Sequence, residues 1–189
     1  MRDNIPNLPL NVLWHEGMLL SPQHFQMHDN YVAKLANFRS FAINEMAWGL
    51  VDFAVDEIAL TSGHLVIKDC KAIFQDGTCF DLSVDSGLDL SLNLNDHLEV
   101  LEAGPVRINL ELPSETAPGL KTETKRFVSS QVVEIVDENL DDRSVSISVK
   151  RPNVRLVIGA GVSRRHLEIS VVEIERIDGV FRMTDFHPQ

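Results

Sequence analysis

The sequence predicts an all-β fold, a β-sandwich of about ten short strands carrying one N-terminal amphipathic helix. Three observations point there. From Trp48 onward apolar residues recur with a period of two, as in half-buried strands. Turn dipeptides punctuate that stretch at Ser62-Gly63, Asp76-Gly77, Gly104-Pro105 and Asp178-Gly179. Only residues 22–44 show helical spacing, so the crossover helices that a parallel sheet needs are missing and antiparallel layers are implied.

Residues 1–21 read as an arm and a turn. Prolines and asparagines mark residues 1–11 as extended. Val12, Leu13 and Trp14 continue as an apolar segment, and Glu16-Gly17-Met18 turns the chain, since glycine tolerates the positive φ of such a turn. Ser21-Pro22 opens the helix, with Ser as N-cap acceptor and Pro where its missing N–H is harmless. Along 22–44, Phe25, Val32, Leu35, Phe38 and Ala42 recur at three- and four-residue spacings, with Met27, Tyr31 and Phe41 beside them. So broad an apolar face implies a second contact, either another chain opposite the strand layer or a deep seat in the core.

The sandwich is expected over 48–186. Val51, Phe53 and Val55 alternate with Asp52, Ala54 and Asp56; Val106, Ile108, Leu110 and Leu112 with Arg107, Asn109 and Glu111; Val145, Ile147 and Val149 with serines and Lys150. Further strands are expected over 65–68, 90–94, 97–101, 128–136, 154–158, 167–174 and 180–183. A two-residue loop at Asp76-Gly77 would set Gln75 opposite Thr78 and Ile73 opposite Phe80. Cys70 would then face Ser83, roughly 13 Å along the strand from Phe74, the partner of Cys79, which is too far for a disulfide. Residues 114–125 and 137–142 are polar or acidic and read as surface connections.

With 189 residues, one domain over 1–189 would bury roughly 70% of its unfolded surface. A net charge of −11 and a pI near 5.0 argue against nucleic acid and against anionic membrane surfaces, both of which would repel the chain. No apolar run reaches the ~20 residues of a membrane span, and Pro6 and Pro9 break any signal-peptide core, so a cytoplasmic location without membrane insertion is expected. Two reduced cysteines fit that compartment.

Chemistry-bearing constellations are weak. His24 and His28 lie one helical turn apart with His15 and Asp29 nearby, the spacing of metal ligands, yet Phe25 stands where a metalloprotease helix carries its general-base Glu. Glu16 and Asp29 would serve as an acid/base pair only if the fold joined them. Ser163, His166 and Asp178 lack a nucleophile elbow, and Gly159-Ala160-Gly161 joins two strands instead of opening a helix. Arg164-Arg165-His166 is a small basic spot. No catalytic group, metal or cofactor is assigned.

The run W-H-E-G-M-L-L-S-P-Q-H-F-Q-M-H-D-N-Y, Trp14 to Tyr31, resembles the opening signature of the TssK family, the baseplate adaptor of bacterial type VI secretion systems. Weaker matches follow at Trp48-Gly49, at Phe74-Gln75-Asp76-Gly77-Thr78-Cys79-Phe80-Asp81 (the family tends to read F-P-D-G-T-x-F-D), at Asn153-Val154-Arg155-Leu156, and at Phe186-His187-Pro188. The resemblance implies an N-terminal shoulder domain similar to that of siphophage receptor-binding proteins. It further implies a homotrimer, attached to a wedge of TssF and TssG. The family's helical neck and C-terminal head would follow beyond this chain, and with them the contacts to the membrane complex of TssL and TssM.

Within that frame Trp14, Met18, Leu19, Leu20, Gln23, His24, Phe25 and Tyr31 are the candidate partner-binding residues. Filling a core requires only volume and hydrophobicity, whereas this run is rich in the aromatic and Met residues of interface hot spots. Two other readings are a sandwich that binds a small ligand or glycan, and a metal-dependent enzyme built on His24 and His28.

Overall fold

A computed structural model describes residues 8–84, 87–114, 125–137, 140–159 and 165–188, except for the side chains of 140–143. Residues 115–124 of the loop expected at 114–125, together with Ala160, Gly161, Ser163, Arg164 and the start of the arm, lie outside the described residues, whereas of the loop expected at 137–142 only 138–139 do, because strand structure reaches Asp137 and resumes at Leu140. Helix α1 spans Pro22–Ile43, within a residue of the expected end.

The first sheet holds β1 (Gly49–Val55), β2 (His64–Ile73) and β3 (Cys79–Asp81) in that order, with β4 (Ser91–Asn93) also paired to β2. β3 takes the C-terminal half of β2 and β4 the N-terminal half. The second sheet orders β10 (Val180–Met183), β9 (His166–Ile177), β5 (Val106–Pro113) and β8 (Arg155–Ile158). All these pairings are antiparallel. Leu65, Ile67, Phe74 and Phe80 from the first sheet and Ile108, Leu110, Leu112, Ile169 and Ile174 from the second share one buried cluster. The expected sandwich is thus present, its two layers closed by the alternating residues of β2, β5 and β9.

The structure corrects several local expectations. The hairpin between β2 and β3 pairs Ile73 with Cys79 and Ala72 with Phe80, one residue away from the two-residue-loop register. Its loop has three residues: the Gly77 N–H donates to the Phe74 carbonyl at 2.8 Å, the Phe74 N–H to the Thr78 carbonyl at 2.9 Å, and Gly77 takes φ +83°. That is a type I turn closed by a left-handed glycine, the common alternative to the two-residue turn. Cys70 and Cys79 remain free thiols.

Residues 97–101 are helical and not a strand: α3 spans Leu98–Glu102 after a 3-10 turn over Leu94–His97. Leu98 and Leu101, three apart, turn toward the core, and a five-residue run with apolar positions at 98, 100 and 101 satisfies either period. A third helix, α2 (Glu57–Thr61), is capped by Asp56, whose carboxylate accepts from the Ile58 N–H at 3.0 Å and the Ala59 N–H at 3.1 Å.

Val51 faces solvent because a bulge between Leu50 and Asp52 shifts the phase of β1 and brings Leu50 onto the core instead. On β5 the supposed outer residues Asn109 and Glu111 are buried as well. Asn109 donates to the Gly159 carbonyl at 3.0 Å and to the Glu168 carboxylate at 3.1 Å, and Glu111 pairs with Arg155.

The largest departure is β6 (Phe127–Asp137) with β7 (Leu140–Pro152). Among the described residues they pair only with each other, as a two-stranded ribbon. Val133 lies opposite Ile147 and Ile135 opposite Val145, an apolar face set against a second face rich in serine. Val145 and Ile147 were expected to be half-buried, but both are exposed, as are Val132, Ile135 and Val136.

Candidate partner-binding surface

The turn before α1 closes as the sequence requires. Gly17 takes φ +76° and the Met18 N–H donates to the His15 carbonyl at 3.4 Å. The helix start departs from expectation in detail: the Ser21 N–H donates to Nδ1 of His24 at 3.1 Å, so a histidine performs the return half of a capping box where Glu or Gln usually does. His24 Nδ1 is also 2.9 Å from the Ser21 hydroxyl.

Trp14 folds the arm back over the first turns of α1. Its ring centre lies 6.2 Å from that of His24, 6.3 Å from Phe25 and 6.1 Å from His28. His28 Nδ1 is 3.2 Å from Oδ1 of Asn11, a second tie between arm and helix. The two histidines weighed as metal ligands thus hold the arm, and among the described residues no group of three His, Cys, Asp or Glu side chains stands close enough to share a metal ion. Glu16 and Asp29 are both exposed.

None of the eight candidate residues belongs to the core. Leu19 is 89% exposed, Leu20 56%, Phe25 52% and Trp14 44%, while Met18, His24 and Tyr31 are half-buried and Gln23 is exposed. Phe41, near the other end of the helix, is the buried residue of α1. The broad apolar face therefore splits along its length, the C-terminal half seated on the protein and the N-terminal half facing water.

The remaining motif residues are joints of the scaffold. Asn37 on α1 donates to the Asp76 carbonyl at 3.3 Å, seating the helix on the β2–β3 loop. The Asn153 N–H donates to the Arg126 carbonyl at 2.8 Å, and its side chain to the Lys125 carbonyl at 2.9 Å. Trp48 and Phe186, far apart in sequence, line one cavity of about 360 Å³, where the Arg107 guanidinium sits 5.0 Å above the Phe186 ring. The exposure of Ile135, Val145 and Ile147 on the ribbon does not follow from the sequence, whose period of two shows that two faces differ and not what lies against each.

Comparison with known proteins gives a consistent relationship. Residues 24–189 match the family model described as "Bacterial Type VI secretion, VC_A0110, EvfL, ImpJ, VasE". The chain is 35% identical over 133 residues to the type VI secretion system baseplate component TssK1 of Pseudomonas aeruginosa, a match covering 68% of this chain and 29% of the relative. Among solved structures, TssK in a TssK-TssF-TssG baseplate subcomplex superposes with a TM-score of 0.80 at 24% identity, covering 95% of this chain and 61% of that one. A chain of the type VI baseplate complex gives 0.78 at 25% identity over 95% and 41%, and a crystal structure of TssK 0.75 at 21% over 93% and 41%. The chain thus spans less than a third of the curated relative's length. A family match across most of the chain, a relative above 30% identity and a shared fold agree: the chain belongs to the TssK family of bacterial type VI secretion proteins.

Proposed function

We propose that this chain is the wedge-attaching, non-enzymatic part of a TssK-type baseplate adaptor, and that the surface from Trp14 to Tyr31 receives an apolar segment of a TssF- or TssG-like partner. The observation that carries this reading is the exposure of Leu19, Leu20 and Phe25 beside an ordered turn and helix start. Large apolar side chains held on a rigid frame are what a hot spot requires, because little entropy is lost when a partner covers them. Gln23 and His24 flank them as rim hydrogen-bonding groups. The subcomplex in which a similar chain sits beside TssF and TssG supplies the class of partner.

The same reading makes the chain one protomer of a homotrimer working in the cytoplasm, with membrane docking to TssL and TssM assigned to parts of the longer relatives that it does not span. The test is paired. Leu19→Ala, Leu20→Ala and Phe25→Ala should each leave the melting temperature nearly unchanged and weaken binding to a purified TssF–TssG wedge, by about 2–4 kcal/mol at a true hot spot. Normal wedge binding by all three variants places the docking site elsewhere.

A further inference from the structure

We infer that the loop Gln75-Asp76-Gly77-Thr78 is a joint that fixes the β6–β7 ribbon and helix α1 at one mutual angle, with Arg126 as its positioning residue. The inference rests on the proposed function only for its purpose, which is to present two exposed apolar surfaces as one rigid platform.

Asp76 faces two ways. Its carbonyl accepts from Asn37 of α1 at 3.3 Å, and its carboxylate accepts from Nη2 of Arg126 at the base of the ribbon. The same Nη2 reaches the Thr78 hydroxyl, and Nη1 donates to the Pro113 carbonyl at the end of β5 at 2.7 Å. The Arg126 side chain is only 9% exposed, so its charge is compensated by these fixed acceptors more than by water. Gln75 anchors the loop to the second sheet by donating to the Glu168 carbonyl at 2.6 Å. Gly77 completes the fit: a Cβ there would stand 2.2 Å from Cγ of Asn37, so the helix lies against bare backbone.

The ribbon needs such a pin. Two strands alone are marginally stable in water, and this pair forms no ladder with either four-stranded sheet. At its base Arg126 ties it to the β2–β3 loop and to the end of β5, while the two bonds from Asn153 across residues 125 and 126 hold the ribbon's own two ends together. A planar guanidinium with three acceptors fixes direction as well as distance, which an ammonium group cannot do.

Spin labels on Ala33 of α1 and Ser146 of the ribbon, in a Cys79→Ser background, read the angle as a distance distribution. A second pair, Ala33 and Glu99 of α3, reads whether the helix keeps its seat on the body. The unsubstituted chain should give narrow distributions for both pairs. Arg126→Ala and Arg126→Lys should broaden the helix–ribbon distribution and leave the helix–α3 distribution narrow, Lys included because it restores charge without the fork. Thr78→Val provides the same reading through a neutral change if Arg126→Ala does not fold. A helix–ribbon distribution that stays narrow in Arg126→Lys and Thr78→Val overturns the inference. No partner is present in the experiment, so wedge binding can fail while the joint stands, and the reverse.

Discussion

At the scale of single residues, Cys70 and Cys79 belong to one hairpin but to opposite surroundings. Burial, with the carboxylates of Asp69, Asp52 and Asp81 nearby, pushes the Cys70 thiol up to about 12, so almost no thiolate forms near neutral pH. Cys79 is exposed at the edge of the sheet. Iodoacetamide at mildly alkaline pH should therefore label Cys79 in the native protein and Cys70 only after denaturation, as peptide mass spectrometry would show; equal labelling would mean that the first sheet opens readily. Gly77 makes a second case. Its φ of +83° and its contact with Asn37 penalise any side chain, and Gly77→Ala should lower stability by about 1–3 kcal/mol in urea melts. Adding Asn37→Ala should restore only the steric part of that loss. Gly17 has a similar φ but nothing within 4 Å, so Gly17→Ala should cost less.

At the scale of elements, α2 rests on its cap. The Ala59 N–H first, then Lys68 at 3.0 Å, hold the Asp56 carboxyl below its ordinary value of 3.8. A depressed carboxyl pKa contributes stability that is fully present above the unfolded value and is lost as pH falls through the folded one. Asp56→Asn should accordingly destabilise the protein at neutral pH, and the gap from the unsubstituted chain should close as pH drops below 3.8. A gap that persists in acid would show that the side-chain shape and not the charge makes the cap. The sequence alternation places Asp56 with β1 and misses this helix, because five residues carry too little periodicity to separate a short helix from a strand end. The ribbon shows the opposite limit: its alternation gave the strands correctly and their cover incorrectly.

At the scale of the whole molecule, the ribbon leaves Ile135, Val145 and Ile147 exposed, an apolar surface apart from the one assigned to the wedge. Closed assembly is the usual way to cover such surfaces. Light scattering should give the mass of three 21.2 kDa chains, and a monomer mass that holds at high protein concentration would count against assembly by this part alone. The sequence by itself determined the all-β class, the extent of α1, most strand positions and the family, because period, turn residues and the Trp14–Tyr31 run are properties of neighbouring residues along the chain. Only the tertiary structure decided the hairpin register, the helical state of 98–102, the burial of Asn109 and Glu111, and the exposure of the ribbon. The physical reason is the same in each case: periodicity records that two faces of an element differ, while what lies against each face depends on residues distant in sequence. Asp76 meets Asn37 and Arg126 only once the chain has folded.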